Sequence, residues 1–206
     1  MAVKAIDIAL IPSDEVIDYC LNINKRAKDL DKAFFELGKE DFIPHISLAL
    51  GCVDEKDIAF ISNKLNEILE DKTEIDLDIS GFGKYAQKDG SYTLYLDIVI
   101  SDILRSFHEK AIEIVRPFLV ESKDALVLVE GEETSISEGS MKILNNYIES
   151  YAYENFHPHI SLGVFDFEEK EEFTKTPLKF KVSKLSLFHV GNRCTCRRET
   201  SSVNLN

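Results

Sequence analysis

The chain predicts an α+β fold with largely antiparallel sheets, built as two related lobes. Strand-like and helix-like patterns alternate through all 206 residues without a Pro- or Gly-rich linker, so 1–206 reads as a single domain. An Asp-Gly dipeptide, Asp89-Gly90, joins two alternating runs, as in an antiparallel hairpin. The pattern Phe-x-Pro-His-Ile-Ser-Leu also occurs twice, in "FIPHISLALG" (42–51) and "FHPHISLGVF" (156–165).

Val3 to Ile11 is an apolar run suited to a buried first strand. Ser13 is placed to cap a helix, with Val16, Ile17, Cys20, Leu21, Ile23, Ala27, Leu30 and Phe34 at helical spacing and Gly38 closing it. Residues 43–52, rich in Ile, Leu and Ala, read as a strand. Asp54 then caps a helix carrying Ile58, Ile61, Leu65, Ile68 and Leu69 on one face. Residues 74–83 alternate strictly, and 93–100 return as the partner strand. Ser101 caps a helix with Leu104, Phe107, Ala111, Ile114, Val115 and Phe118 inward. Next come a strand-like stretch at 126–131, a helix at 136–152 and a strand at 158–165. A short acidic helix near 167–174, a long strand at 178–190 and an edge strand or tail from Cys196 complete the chain.

The net charge of −13 argues against a grip on long nucleic acid, which needs Lys and Arg to neutralise many phosphates. It does not exclude a small phosphate ester in a local pocket. From Lys175 to Arg198 there are seven Lys or Arg and no Asp or Glu. A solvated basic strand face explains such a run; side chains bordering an anionic substrate are the sharper alternative. No apolar run reaches the roughly 18–20 residues of a membrane span. "MAVKAIDIALIPSDE" lacks a signal-peptide layout, so a cytoplasmic protein is expected. Cys20, Cys52, Cys194 and Cys196 have no finger-like spacing and are expected as reduced thiols, with no metal site.

The repeat carries the chemistry. His45 and His159 are 159 − 45 = 114 residues apart, and the same offset places Asp54-Glu55-Lys56 on Glu168-Glu169-Lys170. Each copy is therefore a strand, a turn and a capped helix, as an internal duplication would give. On a strand, residues i and i+2 share a face. His45 projects with Ser47 and His159 with Ser161, while Ile46, Leu48, Ile160 and Leu162 point into the core. Two lobes facing each other would bring both pairs to one cleft. Two imidazoles can then act as general base and general acid, and two hydroxyls can hold phosphate oxygens. One His-x-Ser carries no information; two in the same setting, in a chain with five histidines, do.

Other residues are weaker candidates. His157 next to Pro158-His159 reads as a hydrogen-bonding residue that orients the start of the strand, with metal ligation or substrate contact as alternatives. His108 reads as a partly exposed helix residue, and His189 as a strand-end polar residue. Tyr85 and Tyr92 flank the Asp-Gly hairpin and could stack on a base, although packing is the simpler role. Arg193, on a Gly191-Asn192 turn, is the first choice among Arg193, Arg197 and Arg198 for a phosphate contact.

The two PHIS stretches resemble the paired His-x-Thr/Ser motifs of the two-histidine phosphoesterase superfamily, which includes 2′-5′ RNA ligases and 2′,3′-cyclic nucleotide phosphodiesterases. "DISGFGKYAQKDGSYTLYLDI" resembles that family's strand–loop–strand, so the likeness spans most of the chain. The resemblance implies a bilobal fold, with pseudo-two-fold-related lobes and outer helices around a central cleft. It implies metal-independent, cofactor-free chemistry in which His45 and His159 are catalytic and Ser47 and Ser161 bind the substrate phosphate. Departures are Ser where Thr is common, no Arg after the second motif, and a long segment at 121–155. The expected activity is hydrolysis of a 2′,3′-cyclic nucleotide or related cyclic phosphodiester. A 2′-5′ RNA ligase or phosphodiesterase, and a non-catalytic module binding a nucleotide or RNA end, are the alternatives. The expected partner is a small nucleotide or an RNA end with a cyclic phosphate, met by a monomer away from membranes.

Overall fold

The computed structural model describes residues 2–29, 35–69, 74–87, 90–123, 127–129, 138–165 and 179–205. Its strands are β1 (Val3–Pro12), β2 (Ile46–Asp54), β3 (Asp76–Ala86), β4 (Tyr92–Ile98), β5 (His159–Phe165), β6 (Lys179–Val190) and β7 (Cys196–Asn204). Its helices are α1 (Asp14–Asp29), α2 (Ile58–Asn63), α3 (Leu65–Leu69), α4 (Asp102–Val115) and α5 (Glu138–Tyr151). Among the described residues all strand pairing is antiparallel, in one seven-stranded sheet of order β2-β1-β6-β3-β4-β5, with β7 also on β6.

β6 joins the two lobes. Lys179 to Lys181 pair with β3, whereas Val182 to His189 pair with β1. One lobe is therefore β2-β1-β6-β7 and the other β3-β4-β5. The two motif strands, β2 and β5, end the path and approach each other. The helices cross over: α1 packs on β5, while α4 and α5 pack on β2. β1 is buried along Ala5 to Pro12, which explains its near-continuous apolar run: both faces are covered. Asp7, wholly buried, is the acidic exception.

Several expectations need correction. The expected helix from Asp54 is a 3-10 turn (Glu55–Asp57), then α2, then α3, broken at Lys64; the Asp54 side chain makes no cap bond. Its apolar face still works, because Ile61, Leu65, Ile68 and Leu69 are buried. Gly38 does not close α1, since Phe35 to Gly38 are not helical. There Asn24 takes over, its side chain donating to Phe35 O and accepting from Leu37 N. Residues 127–129 are no strand, although Val129 N donates to Val190 O at 3.1 Å. The Ser101 cap is present, with Leu104 N donating to its Oγ at 3.3 Å. Leu30 and Phe34, the acidic helix at 167–174 and the repeat's Glu168-Glu169-Lys170 lie outside the described residues.

Candidate active site

Both motifs alternate as strands should. Ile46, Leu48, Ile160 and Leu162 are fully buried, while His45, Ser47, His159 and Ser161 line one cleft of about 470 Å³. A second regularity lies beneath this one. Ile8 pairs with Ala49 and Ala9 with Ser47, which leaves Leu48 as an extra residue in β2. Leu94 pairs with Gly163 and Tyr95 with Ser161, which leaves Leu162 as an extra residue in β5. The bulge thus recurs at the equivalent residue of each motif, directly after the serine. A bulge kinks the strand and re-aims neighbouring side chains.

The carbonyl of each bulged residue is held by a side chain from the helix packed on that strand. His108 on α4 donates from Nδ1 to Leu48 O at 2.7 Å, and its Nε2 accepts from Tyr153 N at 2.9 Å. Asn24 on α1 donates to Leu162 O at 3.0 Å. Both side chains are fully buried. The expectation of a partly exposed His108 is therefore wrong: the ring stacks on Phe156 at 3.9 Å between centroids and completes a β2 hydrogen bond.

The imidazoles are oriented identically. His45 Nδ1–H donates to Ile43 O at 2.6 Å and His159 Nδ1–H to His157 O at 2.8 Å. Each ring is tied through Nδ1 to the carbonyl two residues earlier, which leaves Nε2 as the exchangeable, basic nitrogen. Burial pulls the His45 pKa down to about 4, against the opposing Ile43 carbonyl and with help from the charge of His159. Burial also lowers the His159 pKa, with the His157 carbonyl opposing.

The surroundings differ. Beside β2, Ser47 Oγ donates to Asp7 Oδ2 at 2.6 Å, and that oxygen lies 3.6 Å from His45 Nε2 and 3.8 Å from Cys196 Sγ. Beside β5, the Tyr95 ring lies 5.2 Å from the His159 ring and stacks on Tyr85 at 4.5 Å. His157 bridges Tyr85 and Asp97, with Nδ1 accepting from the Tyr85 hydroxyl at 2.7 Å and Nε2–H donating to Asp97 Oδ1 at 2.8 Å. Gly83 makes this packing possible, because any Cβ there would collide with the Tyr95 ring.

Among the described residues, Asp7, His45 and Cys196 form a group of metal-ligand types, with donor atoms within 4.8 Å of one another. Asp7 Oδ2 already accepts from Ser47 and from the Cys196 thiol, so protein donors satisfy that oxygen. All four cysteines are free thiols.

The weaker candidates separate. Tyr85, His157 and Arg193 line the cleft. Tyr92 is not among its lining residues; its ring instead carries Lys84 Nζ at 5.2 Å. Arg193 sits at a positive φ of 59° in the turn before β7, where Ser140 Oγ accepts from its backbone N at 2.7 Å. His189 is buried and donates from Nε2 to Val127 O at 2.8 Å, away from the cleft. From the basic stretch, Arg197 pairs with Asp41 and lies 3.8 Å over the Phe42 ring. Within the long segment, α5 supplies cleft wall through Ser140, Ile143 and Tyr147. Sequence reasoning passed over Asp7, Asn24 and Tyr95. Asp7 had a visible signal, being the only acidic residue within the first apolar run.

Two lobes that each deliver a histidine–serine pair to one cleft make this a two-histidine phosphoesterase fold. A family model described as the 2′-5′ RNA ligase superfamily matches residues 22–193, and the chain belongs to that family of phosphoesterases and ligases. Three solved structures are similar. One is described as a phosphoesterase, with 15% identity and TM-score 0.56, over 100% of this chain and 99% of that one. E. coli LigT complexed with 3′-AMP shares 12% identity with TM-score 0.57, over 100% and 99%. TT0787 of Thermus thermophilus shares 14% with TM-score 0.58, over 98% and 97%. No curated protein matches the chain. Among the described residues, no helix is long and apolar enough to cross a membrane.

Proposed function

We propose that this protein is a metal-independent phosphodiesterase that hydrolyses a 2′,3′-cyclic nucleotide or related cyclic phosphodiester. His45 and His159 form the acid–base pair, and Ser47 and Ser161 hold the phosphoryl oxygens. The observation that supports this most is the pair of oriented imidazoles in one cleft, each with Nδ1 committed to a carbonyl. One Nε2 takes a proton from water as its oxygen attacks phosphorus in line. The other, as Nε2–H, gives its proton to the departing ribose oxygen as the P–O bond breaks. The bound phosphodiester anion favours imidazolium at one ring and so opposes the depression caused by burial. Which ring takes which role is decided by how the substrate lies.

The cleft volume of about 470 Å³ suits a mononucleotide or a single RNA end. Binding of 3′-AMP by E. coli LigT agrees with a ligand of that size. Arg193, Tyr85 and His157 are the nearby substrate contacts in this reading. The net charge of −13 favours a short substrate over long RNA. The test is a panel of 2′,3′-cyclic mononucleotides, 2′-5′ oligoadenylate and cyclic-phosphate-ended RNA, with wild type and both His→Ala variants. Turnover in excess EDTA with a bell-shaped pH–rate curve is expected. Loss of turnover in EDTA would refute the metal-free mechanism.

The family's description favours a second reading, a 2′-5′ RNA ligase or phosphodiesterase. The same acid and base run in reverse would close a 2′-5′ linkage. A steep loss of RNA affinity with salt, together with 2′-5′ product, would select it.

A further inference from the structure

The two serines are not equivalent. Ser47 Oγ lies 2.6 Å from Asp7 Oδ2; an ionised Asp7 can only accept there, and a hydroxyl has one hydrogen to give. While Asp7 accepts it, Ser47 offers a phosphoryl oxygen only lone pairs, which repel. We propose that Asp7 is a positioning residue that works as a neutral acid, donating its proton to Ser47 Oγ and so freeing the Ser47 hydrogen for the substrate's phosphoryl oxygen. This rests on the reading of Ser47 as a phosphate ligand. No covalent bond changes; two O–H groups turn in the same direction along one chain, Asp7 to Ser47 to phosphate.

The surroundings of Asp7 favour the neutral acid. Its side chain is wholly buried, and among the described residues Oδ1 has no hydrogen-bond partner. An ionised carboxylate with a buried, unpartnered oxygen is costly, and protonation relieves that cost. The groups facing it are His45 and Ser47 from β2, Cys196 from β7, Cys194 from the preceding turn and Tyr147 from α5. None is a fixed cation. Burial raises both thiols and the Tyr147 phenol, and it lowers His45 to about 4, so these groups are neutral in the physiological range. Burial likewise pushes the Asp7 carboxyl well above its ordinary range, against the pull of the Ser47 and Cys196 bonds. A bound phosphodiester brings a further negative charge and strengthens the preference. The other lobe has a different arrangement, with Tyr95 facing Ser161 across the strand pair.

The experiment measures the affinity and KM for 2′,3′-cyclic AMP, whose phosphodiester does not titrate above pH 5, as a function of pH. Wild type, Asp7→Asn, Asp7→Ala and Ser47→Ala are compared. In wild type, KM is expected to rise about tenfold as pH climbs and Asp7 ionises, the effect of one lost hydrogen bond to an anion. Asp7→Asn keeps a permanent N–H donor for Ser47 and cannot ionise, so its KM should not climb over that range. Asp7→Ala removes the competing acceptor, so its KM should not climb with pH either, and Ser47→Ala should show a raised KM without the climb. A climb with pH that persists in Asp7→Asn, in Asp7→Ala or in Ser47→Ala overturns the inference. An unchanged KM in Ser47→Ala overturns instead the reading of Ser47 as a phosphate ligand, and failure to bind the nucleotide overturns the proposed substrate class. Should Asp7→Asn not fold, the comparison of wild type with Ser47→Ala still decides, because parallel pH curves contradict the relay.

Discussion

Around β2, the histidine–serine pair meets a buried carboxyl group and the Cys196 thiol. Around β5, the same pair meets two stacked tyrosines and a second imidazole held by Asp97. The shared parts are backbone features: the His-x-Ser alternation, the bulge at Leu48 and Leu162, and the Nδ1 bond to the carbonyl two residues earlier. The different parts are side chains contributed by other elements. Duplication can copy a strand with its local hydrogen bonds, but it does not bind the neighbours of that strand to stay alike. The first copy has become the drier half, with His45 only 14% exposed beside Asp7. The second has an aromatic wall with a polar outer edge.

The comparison breaks most sharply at the imidazoles. If the halves share the chemistry, His45→Ala and His159→Ala each lower kcat by about 10³-fold, the scale of a lost acid or base. A variant that changes KM alone would show that its half only binds.

The halves should next differ in acid. His45 has its pKa lowered from an unfolded value of 6.5 to about 4. A depressed imidazole contributes stability that is present above pH 6.5 and lost as pH falls toward 4, because only the unfolded chain takes up the proton readily. That component amounts to about 3 kcal/mol. Urea unfolding at stepped pH should show it in wild type and lose it in His45→Gln. A wild-type slope in His45→Gln would place the acid sensitivity elsewhere.

The helix-to-bulge clamps come third. His108→Ala removes two buried hydrogen bonds and a ring stack, and should cost about 3 kcal/mol. Asn24→Ala removes buried amide bonds to three backbone groups and should cost about 2 kcal/mol. Denaturant midpoints measure both. If the bulges position the serines, kcat falls too in the folded fraction. The smallest effect belongs to Tyr85→Phe, which loses a half-exposed hydrogen bond to His157 and should shift affinity by about 0.5–1 kcal/mol. No shift at all would leave the His157 edge as packing only.

Much of this was legible along the chain because it is local. Alternation in "PHISL" assigns His45 and Ser47 to one face and Ile46 and Leu48 to the other, and the structure keeps that assignment. The helical spacing of Ile61, Leu65 and Ile68 correctly identified a buried face. It did not reveal the break at Lys64, since a face survives a kink that changes the direction of the axis. His108 was misread for a related reason: a histidine on a helix looks polar until the partner for its nitrogen is known, and that partner, Leu48 O, lies 60 residues away.

The sequence by itself determined most of the elements, the two motifs and which of their side chains share a face, because strand and helix periods are properties of neighbouring residues. Tertiary structure alone decided that β6 joins the lobes, that β2 and β5 end the sheet facing each other, and that Asp7 lies behind Ser47. Those are pairings across 40 to 100 or more residues, such as Ser47 with Asp7 and Asn24 with Leu162. They form only when the whole core closes, so no local period can encode them.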